Sequence, residues 1–274
     1  MIVSASRRCD IPAHYLGWLL ARIEAGYCLV RNPFDARSVR RVSLDPAEMD
    51  CLVLWTRDPR PLADRGGERL EDLGVRSLVH VTLTGYPRSL EPGVPRPDEV
   101  LTAFARLSER LGSERVLWRY DPILIAGGLG AEFHLRNFAA LAAALEGRTK
   151  RVTLSLVDEY ARTGERITRS GFPDPLFARP RPPAAGKAPV RAAGAAAASP
   201  DGARAGGPAG GPAEGRMPCG LFEPARERGQ RPSPAGPPAL RLPPEPYASL
   251  LASLASIAAA RGMRCVSCAE PFDL

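Results

Sequence analysis

The 274-residue chain has no apolar run long enough to cross a membrane. It also has no charged, apolar leader, because it opens directly on the strand-like run MIVSAS. Both absences point to a cytoplasmic protein. Histidine is scarce, with three residues and no HExxH pair, which argues against a zinc hydrolase. The six cysteines (Cys9, Cys28, Cys51, Cys219, Cys265 and Cys268) are scattered, so no disulfide framework is expected in a reducing compartment. Lysine is rare beside arginine. The net charge of +7 raises nucleic acid as a partner, but acidic residues are interspersed with the arginines. A solvated, arginine-rich surface is the simpler reading, and nucleic acid ranks behind a small anionic substrate. No membrane partner is expected, and the sequence carries no signal for an oligomeric state.

What is present is alternation. The apolar fraction of 45% suits a packed core. Strand-like runs at 2–6, 27–33, 49–59, 77–86, 115–125 and 151–160 alternate with helix-like stretches at 12–26, 96–112 and 132–147. This pattern predicts βαβ units and a mostly parallel sheet. From 178 to 244 the composition shifts to Ala, Gly, Pro and Arg with little to bury, which predicts a long disordered insert. Helical periodicity returns at 244–262, and 263–270 reads as a seventh strand. The expected fold is α/β, a partial TIM-like (β/α) barrel. Residues 1–177 form its main part, 178–244 the insert, and 245–274 the final helix and strand. A doubly wound open sheet is the alternative.

Each strand body is apolar and each carboxyl end is polar. The ends bring Arg7, Arg8 and Asp10; Arg31 and Asn32; Arg57; Thr84; Arg119 and Asp121; Asp158; and Glu270. One such ending is an ordinary stop signal, since proline and polar residues terminate strands. Recurrence is more telling, because parallel strands gather their C-terminal ends on one face, where α/β proteins place their sites. Several guanidinium groups at one mouth repel unless carboxylates or an anionic ligand offset them. The expectation is substrate binding by Arg7, Arg8, Arg31, Asn32, Arg57, Thr84 and Arg119. Asp10, Asp121, Asp158 and Glu270 are the expected acid–base groups.

Weaker motifs read as structural. His80 and His134 fit satisfied histidines better than ligands. Cys265 and Cys268 have CxxC spacing, but strand alternation puts them on opposite faces, against a shared metal. The turn Gly127-Gly128-Leu129-Gly130 lacks the Lys-Ser/Thr of a phosphate loop. Gly66-Gly67-Glu68 resembles a radical-enzyme motif only by coincidence.

The ordered stretches SASRRCDIPAHY, LVRNPF, RRVSL, DCLVLWTRDPRPL, VTLTGY, EPGVP, RVLWRYDPILI and CAE resemble the bacterial domain of unknown function 1848 family. The resemblance covers nearly all of 1–175 and resumes at 245–274. It implies a barrel like that of radical S-adenosylmethionine enzymes and a CxxxCxxC cluster near the C-terminus. Three such thiolates would leave one iron of a [4Fe-4S] cluster open for S-adenosylmethionine. The sequence departs from that pattern. Cys9 stands where the motif usually has threonine, the insert is not a family feature, and none of the six cysteines matches the triad. The expectation is that this chain holds no cofactor, although the family binds the cluster and S-adenosylmethionine. A shortened natural protein or a frameshift would account for the missing triad.

Three functions follow. The first is a radical-enzyme-type barrel, catalytically incomplete in this chain. The second is a metal-independent lyase or isomerase on a phosphorylated small molecule. The third is a non-enzymatic binding module or pseudoenzyme.

Overall fold

The computed structural model describes residues 1–6, 9–32, 35, 37–159, 162–177, 222–224 and 247–268. Its centre is a seven-stranded sheet. Six strands are parallel: β1 (Ile2–Ala5), β4 (Cys51–Thr56), β5 (Ser77–Thr82), β6 (Val116–Ile123), β7 (Arg151–Leu156) and β9 (Arg264–Ser267). They lie in sequence order with no reversal. The intervening helices are α1 (Ile11–His14), α2 (Leu16–Glu24), α3 (Gly67–Asp72), α4 (Pro97–Leu111), α5 (Ala131–Ala144), α6 (Thr163–Arg169) and α7 (Tyr247–Ala260). A π-helical turn, Leu62–Gly66, leads into α3. The described residues thus form a mixed α/β protein with a mostly parallel sheet.

Two expectations need correction. The run at 27–33 is not a strand of the parallel sheet. As β2 (Tyr27–Arg31) it pairs antiparallel with β3 (Val39–Ser43) in a separate ribbon. Its residues alternate, with Cys28 buried and Leu29 63% exposed, as suits a one-sided ribbon rather than a doubly covered strand. The single helix expected over 12–26 is two, because the chain breaks at Tyr15, whose φ of -135° is not helical. The insert expected at 178–244 lies outside the described residues except for β8 (Phe222–Pro224). That strand pairs antiparallel with β1 and covers its free edge.

Alternation along each strand separates two faces. Val3, Leu52, Leu54, Val79, Val81, Trp118, Tyr120, Val152 and Leu154 point to one face and are fully or almost fully buried in the main hydrophobic cluster. The helices supply Leu19, Phe104, Phe138 and Leu254 to that cluster. In α4, apolar residues at helical spacing (Val100, Phe104, Leu107, Leu111) make the buried stripe. The other face carries Ser4, Val53, Trp55, Leu78, His80, Leu117, Arg119, Thr153 and Val266. None of the apolar residues among these joins a hydrophobic cluster.

Candidate functional site

The stretch VLWRYDPILI shows how the two faces arise from one strand. Trp118 and Tyr120 turn toward the helices. Trp118 donates its indole N–H to the Leu83 carbonyl at 2.9 Å. The Tyr120 hydroxyl meets His134 Nδ1 at 2.8 Å and accepts from Asn137 Nδ2 at 3.0 Å. The other ring nitrogen of His134 bonds the Leu124 carbonyl, so this histidine is a satisfied core residue. Arg119, between the two aromatics, points to the opposite face.

There Arg119 is 8% exposed. It forms an ion pair with Asp121, donates to Cys268 Sγ at 3.3 Å, and lies 4.6 Å over the Trp55 ring. Trp55 in turn stacks on His80 with centroids 4.1 Å apart, and its indole N–H donates to Ser4 Oγ at 3.1 Å. Four strands of the sheet, β1, β4, β5 and β6, and the residue after β9 therefore meet at one cluster. Burial, reinforced by nearby Arg57, lowers the Arg119 pKa, and the contact with Cys268 opposes this. Burial first, then the positive charges of Arg119 and Arg151, pull His80 down to about 3. His80 is thus neutral at physiological pH.

A second ion pair lies alongside. Arg57 pairs with Glu91, and its other terminal nitrogen reaches the Asp121 carbonyl at 3.4 Å. Thr84, buried two residues beyond β5, donates to Glu91 Oε2 at 2.8 Å. Gly85 follows at φ +66°, where the missing Cβ leaves room for Asn137, whose Nδ2 donates to the Thr84 carbonyl at 2.7 Å. The Asp121-Pro122 peptide is cis, and the β6–β7 register shifts between Tyr120 and Ile123.

The structure brings Arg57, Thr84, Arg119 and Asp121 together. Asp10 adjoins them, but its carboxylate is occupied: Oδ1 caps α1 by accepting from Ala13 N at 3.0 Å. Its Oδ2 accepts from Thr56 Oγ1 and from Arg57 N, at 3.0 and 2.7 Å. Asp10 therefore holds Arg57 in place. Asp158 lies two residues beyond β7. Arg31 and Asn32 belong to the β2–β3 ribbon, so they do not end a strand of the sheet. Arg7, Arg8 and Glu270 lie outside the described residues. Sequence reasoning missed Glu91, Trp55 and Cys268, and it read His80 as satisfied. Glu91 and Trp55 both occur in the motif stretches quoted above, EPGVP and WTRDP.

A [4Fe-4S] cluster on a cysteine triad needs three converging thiolates. Among the described residues no three His, Cys, Asp or Glu side chains are placed to hold a metal. Burial holds Cys28 and Cys265 in the thiol form, raising them to about 12 and about 11. Cys265 packs against the helix-covered core while Cys268 touches Arg119, on the other face. The described residues do not fit that cluster.

Residues 2–184 match the family described as Domain of unknown function (DUF1848). No curated protein matches the chain. No solved structure matches it. The family match spans two thirds of the sequence and includes every strand-end residue of the cluster except Cys268. The chain is a member of the DUF1848 family.

Proposed function

We propose that this chain is a small-molecule-binding protein of (β/α)-barrel type that takes an anionic ligand at the C-terminal ends of its parallel strands. The barrel reading is supported by the unreversed strand order and by a drift in register. Trp55 is the fifth residue of β4, its partner His80 the fourth of β5, and the next partner Leu117 the second of β6. Such a stagger accompanies strands that tilt around a common axis. Sites in such folds sit at the strand C-termini.

One observation carries the ligand class: the buried guanidinium of Arg119, on the face of the sheet that joins neither hydrophobic cluster. A buried arginine is retained there at a desolvation cost that a carboxylate or phosphate partner offsets. Asp121 and Glu91 keep Arg119 and Arg57 paired in the free protein. An incoming anion exchanges with those carboxylates and releases them as proton acceptors next to the ligand. Glu91 stays oriented by Thr84 when Arg57 turns to the ligand.

This exchange favours the metal-independent reading, a lyase or isomerase acting on a phosphorylated small molecule. Radical chemistry with S-adenosylmethionine is what the sequence resemblance implies for the family. The described cysteines do not fit such a cluster, since Cys265 and Cys268 lie on opposite faces.

Thermal unfolding with ribose 5-phosphate, S-adenosylmethionine or a short single-stranded DNA tests the reading. A phosphorylated small molecule should stabilise the wild type by mass action. The stabilisation should vanish in Arg119→Lys, which keeps the charge and loses the planar fork. Stabilisation by DNA alone, unchanged in Arg119→Lys, would refute it.

A further inference from the structure

A second polar cluster lies deeper on the same face. His80 of β5 pairs with Leu117 of β6. Trp118 pairs with Val152, so Arg151 stands beside Leu117. Arg151 pairs with Arg264 of β9. The row across the sheet therefore runs Trp55, His80, Leu117, Arg151, Arg264, with all five side chains on the face away from the helices. Neighbouring strands are about 4.8 Å apart, which puts His80 and Arg151 about 10 Å apart at their backbones. An arginine side chain spans most of that gap.

Three observations in this row call for a ligand. His80 is 8% exposed, and its Nδ1 is buried without a hydrogen-bond partner. Arg151 Nε is likewise buried without a partner. Among the described residues no carboxylate pairs with Arg151 or with Arg264. Two like charges nevertheless stand directly opposite on adjacent strands, an arrangement that destabilises a sheet. Buried donors are rarely left unpaired, and an unmade bond costs stability. One compact anion answers all three. It accepts from Arg151 Nε–H and from a neutral His80 carrying its proton on Nδ1, and it offsets the Arg151–Arg264 repulsion. Burial first, then the charges of Arg119 and Arg151, keep His80 neutral while the site is free, so His80 adds no third charge.

We propose that His80 and Arg151 form a second anion subsite, one layer below Arg119, which holds a phosphate or carboxylate group of the ligand. This deepens the anionic-ligand reading and rests on it only for the shared face. It narrows the substrate class to a small molecule with two acidic groups separated by roughly one strand layer, about 7 Å. One group meets Arg57 and Arg119 at the rim, and the other meets Arg151 and His80 inside.

The test titrates inorganic phosphate into the full chain and follows the imidazole nitrogen signals of the three histidines, His14, His80 and His134. A saturable shift at His80 alone is expected. Its midpoint should rise about tenfold or more in Arg151→Gln, the effect of losing a charge-assisted hydrogen bond. No shift at His80, or an unchanged midpoint in Arg151→Gln, overturns the proposal. Should Arg151→Gln fail to fold, Arg151→Lys decides, since it keeps the charge and loses Nε–H. A raised midpoint supports the subsite, and an unchanged one overturns it. Arg119→Lys separates the two readings. A His80 response that persists there upholds the inner subsite even if rim binding fails. A response lost there but kept in Arg151→Gln assigns phosphate to the rim alone and overturns the subsite.

Discussion

Replacing Gly85 with alanine imposes two costs that can be measured apart. The residue sits at φ +66°, where a side chain is strained by roughly 1–2 kcal/mol. Its new Cβ would also stand 2.6 Å from Asn137 Oδ1, closer than any real contact, so the amide must turn away. Turning breaks the Nδ2 bonds to the Thr84 carbonyl at 2.7 Å and the Tyr120 hydroxyl at 3.0 Å. Each such bond contributes about 1 kcal/mol net, so Gly85→Ala should cost about 3–4 kcal/mol in all. In an Asn137→Ala background the obstacle and both bonds are already gone. There the same substitution should cost only the backbone strain, about 1–2 kcal/mol. Urea unfolding of the four proteins closes the cycle, with an expected coupling of about 2 kcal/mol between the two sites. Equal costs in both backgrounds would refute the claim that Asn137 buttresses the strand end through the space left by Gly85.

Other outcomes follow from the same contacts. Asp10→Ala removes the α1 cap and the tie to Arg57 N, and should lower stability by about 1–2 kcal/mol in urea unfolding. Asp10→Asn, which keeps an acceptor, should recover part of it. Tyr120→Phe leaves Asn137 and His134 short of a buried partner and should cost about 1–3 kcal/mol. His80 is held near 3 when folded, below its ordinary value of 6.5, so the unfolded chain binds the extra proton between those values. Its contribution is therefore fully present above pH 6.5 and is lost as pH falls toward 3, with a slope of at most about 1.4 kcal/mol per pH unit. His80→Gln should flatten that part of the stability profile, and an unchanged profile would contradict the assignment. Cys28, raised to about 12 by burial, should resist thiol reagents at pH 8 in the native protein and react after unfolding.

Much of the architecture is legible in single stretches. The apolar body of 116–123 and its polar end announce a parallel strand, and alternation separates Trp118 and Tyr120 from Arg119. The stripe of Val100, Phe104, Leu107 and Leu111 announces α4. The ribbon is hidden in the sequence because YCLVR is as apolar as a buried strand, while its partner VRRVS carries only one residue that the core requires, Val42. Reading the exposed Leu29 and Arg31 as one face of an alternating strand would have identified it.

The site was only half legible for a different reason. Which groups close each strand is local information, and Arg57, Thr84, Arg119 and Asp121 follow from it. Which partners they meet is not local: Cys268 is 149 residues from Arg119, and Glu91 arrives on a loop 34 residues from Arg57. The inner row of His80, Arg151 and Arg264 depends on strand register, and register is set by packing across the whole sheet.

The most direct measurement is the emission of Trp55, whose ring lies beneath Arg119, during titration with mono- and bis-phosphorylated small molecules. Binding that draws Arg119 toward the ligand should give a saturable change in the wild type. In Arg119→Lys, at unchanged fold, the midpoint should be about tenfold higher, since the guanidinium fork is lost. An identical titration in the two proteins, or no response to any of the anions, would contradict the account.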